Sequence, residues 1–169
     1  SGTELDVREV PGMAQVTATT RRTIAATPDE VLAAVSDYRD VRPQILTEQY
    51  RDYRVEQGGH GAGTVAHWLL QATSSRSREQ TVDVDAHPEG GVVERDRNSS
   101  MVTTWVVRPE GPDRATVTID ARWNGASGIG GFFERLFAPR GLQRIHDGVL
   151  ANLENRLAGE PQPLDGSEV

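Results

Sequence analysis

Apolar and polar residues alternate with a period of two through the middle of the chain, and helical spacing takes over at two places. Residues 13–24 (MAQVTATTRRTI) are rich in Thr and Val with loose alternation, which predicts a long strand. A helix start follows at once. Thr27 is a capping residue, Pro28 stands where a missing N–H costs nothing, and Glu30 lies three residues past the cap. Val31, Leu32, Val35 and Tyr38 then recur at helical spacing, which carries the helix to about Asp37. Pro43 limits the next stretch to a short second helix or turn over residues 38–45.

Strand patterning resumes over residues 48–56, 63–73, 76–87, 92–97, 100–109 and 114–123, with turns at Gly58-Gly59-His60-Gly61, Pro88-Glu89-Gly90-Gly91 and Gly111-Pro112-Asp113. The last strand alternates most cleanly. Ala115, Val117, Ile119, Ala121 and Trp123 share one face, opposite Thr116, Thr118, Asp120 and Arg122. Such a sheet buries one face and wets the other. In the C-terminal third the period changes again. Residues 125–131 (GASGIGG) form a glycine-rich entry, and Phe132, Phe133, Leu136 and Phe137 open a helical stripe that Pro139 is expected to kink or interrupt. Leu142, Ile145, Val149, Leu153 and Leu157 continue as an amphipathic helix, which Gly159 ends and Pro161 and Pro163 keep from resuming.

The pattern therefore predicts an α+β domain: a strand, two short helices, further antiparallel strands and one long helix. A helix of ~19 residues spans ~28 Å, enough to lie across a curved sheet without filling its concave face. Residues 1–12 read as an N-terminal arm, 13–158 as one domain and 159–169 as a polar, disordered tail. The chain opens on Ser1-Gly2 without an initiator methionine, so an upstream segment is expected to be missing.

Composition narrows the chemistry. The net charge of −7 makes nucleic acid and anionic bilayers poor partners, and no apolar run is long enough to span a membrane. With no signal-like stretch in view, a cytoplasmic location is expected. The chain has no cysteine, and all 18 of its Lys+Arg residues are arginine. Thiolate nucleophiles, Schiff bases and P-loop chemistry are thereby excluded. The four histidines, His60, His67, His87 and His146, show no ligand spacing on one element, so neither a metal nor a cofactor is expected.

The stretch Arg22-Thr-Ile-Ala-Ala-Thr-Pro-Asp-Glu-Val-Leu-Ala-Ala-Val-Ser-Asp37 resembles the opening strand, capped helix and closing Asp of the START-like (helix-grip) superfamily, which includes polyketide cyclases/dehydrases and lipid-transport proteins. The amphipathic C-terminal helix matches in position, and the resemblance covers about residues 13–158. It implies a curved antiparallel sheet of about seven strands wrapped around one long C-terminal helix, with a cavity for an apolar or polycyclic small molecule.

Strand parity gives the residues expected to line that cavity. They are Trp68 and Leu70; Arg78, Gln80 and Val82; Met101, Thr103 and Trp105; and Ile119, with Phe133, Ile145 and Val149 from the helical region. His67 falls on the outer face. An inward Arg78 is expensive unless paired, so Glu94 or Asp96 on the next strand is its expected partner. The plainer alternative is that Arg78 sits near the strand end and reaches solvent. The expected function is binding or transport of a lipid, isoprenoid or polyketide-like molecule, with Arg78 or Gln80 orienting a polar group. The rival is an aromatase/cyclase or dehydratase in the same cavity, with Glu94 or His146 as base and Arg78 stabilising enolate charge. A protein partner on the outer face is a third possibility.

Overall fold

The computed structural model describes residues 15–73, 76–124 and 139–159. In chain order these form β1 (Gln15–Ile24), α1 (Pro28–Ser36), α2 (Arg42–Ile45), β2 (Tyr50–Gln57), β3 (Val65–Thr73), β4 (Arg76–Ala86), β5 (Gly91–Asp96), β6 (Val102–Pro109), β7 (Ala115–Asn124) and α3 (Pro139–Gly159). The arm over 1–12, the glycine-rich stretch over 125–131, the apolar stripe over 132–137 and the tail over 160–169 all lie outside the described residues.

The first helix starts where its local chemistry predicts. At α1 the capping box closes in both directions: the Glu30 amide donates to Thr27 Oγ1 at 3.1 Å, and the Thr27 amide donates to Glu30 Oε1 at 3.0 Å. The kink or interruption expected at Pro139 falls on the junction with residues 132–138, which lie outside the described residues. Helix α3 is described from Pro139 to Gly159.

The seven strands form one antiparallel sheet in the order β1-β7-β6-β5-β4-β3-β2, with β1 and β2 at its edges. Helix α3 packs on β1. Arg22 reaches from that strand to Glu154 at 2.8 Å and Asp147 at 3.4 Å, and the Gln143 side-chain amide donates to the Thr19 carbonyl at 3.1 Å. Asn152 ties α3 to α2 by donating to the Ile45 carbonyl at 2.9 Å. The inward face of α3 (Leu142, Ile145, Val149, Leu150, Leu153, Leu157) is buried in one core with Ala18, Val117, Ile119, Ala121 and Trp123 of the sheet. Each such large side chain contributes about 1.5–3 kcal/mol on burial, which is what holds the helix across the sheet.

Two backbone features set the shape of the site. Strand β2 shifts register between Arg51 and Arg54, and Asp52 there adopts φ 55°. This bulge turns both Tyr50 and Tyr53 toward Trp68, which strict alternation would not do. Tyr50 meets the indole edge-on at 5.8 Å, and Tyr53 stacks on it at 6.3 Å. At Gly91, φ is 139° and a Cβ would lie 1.8 Å from the Trp105 carbonyl oxygen, so only glycine lets β5 leave the turn this close to β6.

Candidate functional site

The site grows from the inward faces of β3 to β6. Antiparallel register places Trp68 opposite Gln80, Val82 opposite Asp96, and Glu94 between Val84 and Thr103. Helix α2 comes down over this face from one side and α3 from another. Between them the described residues enclose a cavity of about 20 Å³, room for about one water molecule. Its apolar wall is Leu46, Trp68, Leu70, Val82, Met101, Trp105 and Leu142; its polar wall is Arg42, Tyr50, Gln80, Glu94, Asp96, Thr103 and His146.

A buried ion pair stands at the centre of the polar wall. Arg42 Nη1 donates to Glu94 Oε2 at 2.8 Å, and the two side chains are 2% and 4% exposed. Tyr38 donates to the same oxygen at 2.5 Å. The guanidinium packs against two rings, 4.2 Å from the Tyr38 centroid and 4.3 Å from that of Trp105. Its Nη2 donates to the Val35 carbonyl at 3.3 Å, while its Nε has no partner among the described residues. Burial works to lower the Arg42 pKa, but the nearby Tyr38 and Glu94 outweigh it and raise the value further. Burial likewise raises the pKa of Tyr38, Tyr50 and Tyr53, so all three phenols stay protonated at neutral pH. Tyr53 fixes the end of the cluster by donating to the Tyr38 carbonyl at 2.5 Å.

Beside this pair, Asp96 is saturated by uncharged donors. The amides of Thr81 and Asn98 bond Oδ1 at 3.2 and 3.1 Å, and Ser99 Oγ and Gln80 Nε2 bond Oδ2 at 2.6 and 3.4 Å. Gln80 in turn accepts from Trp68 Nε1 at 2.8 Å, which fixes both the amide and the indole. His146 enters from α3. It is buried, its Nδ1 has no partner among the described residues, and burial together with the Arg42 charge lowers its pKa to about 4. At neutral pH it is an uncharged imidazole.

Of the residues that parity placed inward, Trp68, Leu70, Gln80, Val82, Glu94, Met101, Thr103 and Trp105 line the cavity, as does His146. Ile119, Ile145 and Val149 are buried in the core instead of along its wall. Phe133 lies outside the described residues. The expected pairing of Arg78 with Glu94 or Asp96 is corrected. Arg78 stands opposite Leu70, two residues into β4, half-buried, with its guanidinium on the Asn98 carbonyl. Glu94 is taken by Arg42. His67 keeps its outward parity but is 5% exposed, bonded through Nδ1 to Thr81 Oγ1 at 3.1 Å, with Nε2 3.7 Å from Glu79.

Arg42, Leu46, Tyr50, Asp96 and Leu142 line the cavity without having been expected there. The signal for Arg42 was faint: a cation next to Pro43, in a segment of alternating charge with no periodicity to orient it. Among the described residues there is no group of three or more metal-ligating side chains, and no helix long and apolar enough to cross a membrane.

No curated protein matches the chain. Among solved structures it is similar to the KanY protein, with 50% identity over 87% of this chain and 100% of that one, at a TM-score of 0.78. A START superfamily protein from Mycobacterium smegmatis (14% identity, 84% of this chain and 97% of that one, TM-score 0.62) shares the fold. So does the Zhui aromatase/cyclase from Streptomyces sp. R1128 (14%, 89% and 95%, TM-score 0.57). Residues 13–158 match the profile of one family, and with the helix-grip architecture around the cavity this places the chain within the START-like superfamily, in the family described as polyketide cyclase / dehydrase and lipid transport.

Proposed function

We propose that the protein binds a lipid, isoprenoid or polyketide-like molecule in the cavity between the sheet and α3, with a polar group of the ligand at the Arg42–Glu94–His146 wall. The observation that carries this reading is a buried, hydrogen-bonded ionic cluster in the polar wall of a cavity whose other wall is apolar. Small-molecule sites have this composition, with apolar area supplying affinity at ~25 cal/mol per Å² and a few polar atoms fixing orientation. Since the described residues enclose only about 20 Å³, ligand entry displaces side chains such as Met101 and Leu142. Binding is then coupled to opening, and the free energy of opening subtracts from the apparent affinity.

The test is native mass spectrometry of protein purified from its native host, followed by organic extraction. A stoichiometric apolar adduct, released by extraction, is the expected result. Protein that is empty as purified and takes up no apolar compound in titration overturns the reading.

A second reading rests on Glu94. Only one of its carboxylate oxygens is used by Arg42 and Tyr38, and the residue lines the cavity, so the other oxygen is placed to accept a proton. That geometry suits an aromatase/cyclase or dehydratase acting on a poly-β-ketone chain, with neutral His146 as a second proton carrier. Glu94→Gln separates the two readings, since it abolishes turnover in an enzyme and only weakens binding in a carrier.

A further inference from the structure

The polar wall has a sign. It holds one cation, Arg42, against two carboxylates, Glu94 and Asp96, with His146 uncharged at neutral pH. Arg42 is committed on every side that matters to an incoming ligand. One Nη is on Glu94, the other on the Val35 carbonyl, and the guanidinium carbon lies 4.2 and 4.3 Å from the Tyr38 and Trp105 ring centroids. Its Nε has no partner among the described residues, but the atom is buried away from the cavity space. The cation therefore cannot turn to meet an anion without breaking its pair with Glu94.

The acceptors are distributed differently. Asp96 has both oxygens filled by four uncharged donors, so its charge is solvated but not cancelled. Glu94 Oε2 takes two hydrogen bonds, whereas Oε1 takes none from the described residues. A carboxylate oxygen with spare capacity in a cavity wall wants a hydrogen to accept. A ligand carboxylate brought to the same place would face a wall with one net negative charge in a medium that screens it poorly.

We infer that the cavity selects ligands that present a hydrogen-bond donor, a hydroxyl or an amine, to Glu94 Oε1, and that it rejects ligands ending in a carboxylate. The inference rests on the cavity-binding reading and adds the class of polar group that the ligand carries. Free fatty acids fall outside that class. Phenols, enols, alcohols and amines fall within it.

The experiment compares three probes that share one apolar body: 4-ethylphenol, 4-ethylbenzylamine and 4-ethylbenzoate. Each is titrated into the intact protein at pH 7.5, with the indole N–H signals of Trp68 and Trp105 followed by NMR. At least one donor probe should bind about tenfold or more tighter than the benzoate, and the tighter of the two identifies the preferred donor. In Glu94→Gln that preference should shrink to about twofold or less, because the amide removes the charge that both attracts the donor and repels the anion. Should Glu94→Gln fail to fold, the wild-type comparison decides alone. Benzoate binding as tightly as the better donor, or tighter, overturns the inference and leaves the cavity reading standing. If no probe shifts either indole, both fall together.

Discussion

Replacing His146 with leucine tests whether the imidazole is held neutral by its burial in the polar wall. His146 is buried against Arg42, with burial the larger cause of a pKa lowered to about 4, from the 6.5 of an unhindered imidazole. In the unfolded chain the ring takes up a proton as pH falls through 6.5; in the folded chain it resists until about pH 4. The unfolded state therefore binds more protons across that window, and folding stability falls as pH drops through it. The full loss is on the order of 3 kcal/mol, of which roughly 2 kcal/mol has appeared by pH 5. Carboxylates titrate in the same range, so the useful quantity is a difference between two proteins. Urea unfolding at pH 7.5 and pH 5.0, read with a common m-value, should show wild type losing about 2 kcal/mol more than His146→Leu. A direct NMR titration of the imidazole should find the ring neutral down to about pH 4. If the two proteins lose stability equally, to within about 0.5 kcal/mol, His146 is not a buried neutral group and the account of the wall is wrong.

Other substitutions probe other parts of the argument. Arg42→Met leaves Glu94 buried without its cation and should cost about 3–5 kcal/mol in chemical unfolding, whereas Arg42→Met combined with Glu94→Leu should cost distinctly less than the two single changes added together. Gly91→Ala drives a Cβ into the Trp105 carbonyl at a positive φ and should destabilise by about 3 kcal/mol, with the amides of β5 and β6 losing hydrogen-exchange protection first. Thr27→Ala removes one half of the capping box and should lower stability by about 1 kcal/mol, with no effect on ligand binding.

The fold was legible because its signals are local and redundant. The Thr27–Glu30 box, the strict alternation of β7 and the 3.6-residue stripe from Leu142 to Leu157 each name an element without tertiary knowledge. The strand-borne half of the site was legible for the same reason: once a face is assigned, Trp68, Gln80, Thr103 and Trp105 follow by counting in twos. Parity assigns a face but not a partner. It put Arg78 inward beside a strand carrying Glu94, yet strand register sets Glu94 opposite Val84 and Thr103, and Arg78 opposite Leu70. The cation that does pair with Glu94 arrives 52 residues earlier in sequence, on a four-residue helix whose placement depends on the whole domain. Tyr50 was hidden by a different cause. The bulge at Asp52 breaks the alternation that would have oriented it, and nothing in Arg-Asp-Tyr-Arg announces a positive φ.

The central claim is that the ligand lies between the sheet and α3 with its polar end on the Glu94 wall. Intermolecular nuclear Overhauser effects between a saturating apolar ligand and assigned side chains test it most directly. The account predicts contacts from the ligand's apolar body to the Met101 and Leu142 methyl groups, and from its polar end to the Tyr50 ring and the His146 imidazole. Contacts confined to the outward face of the sheet, at residues such as Thr81, Asp83 and Arg97, would contradict it.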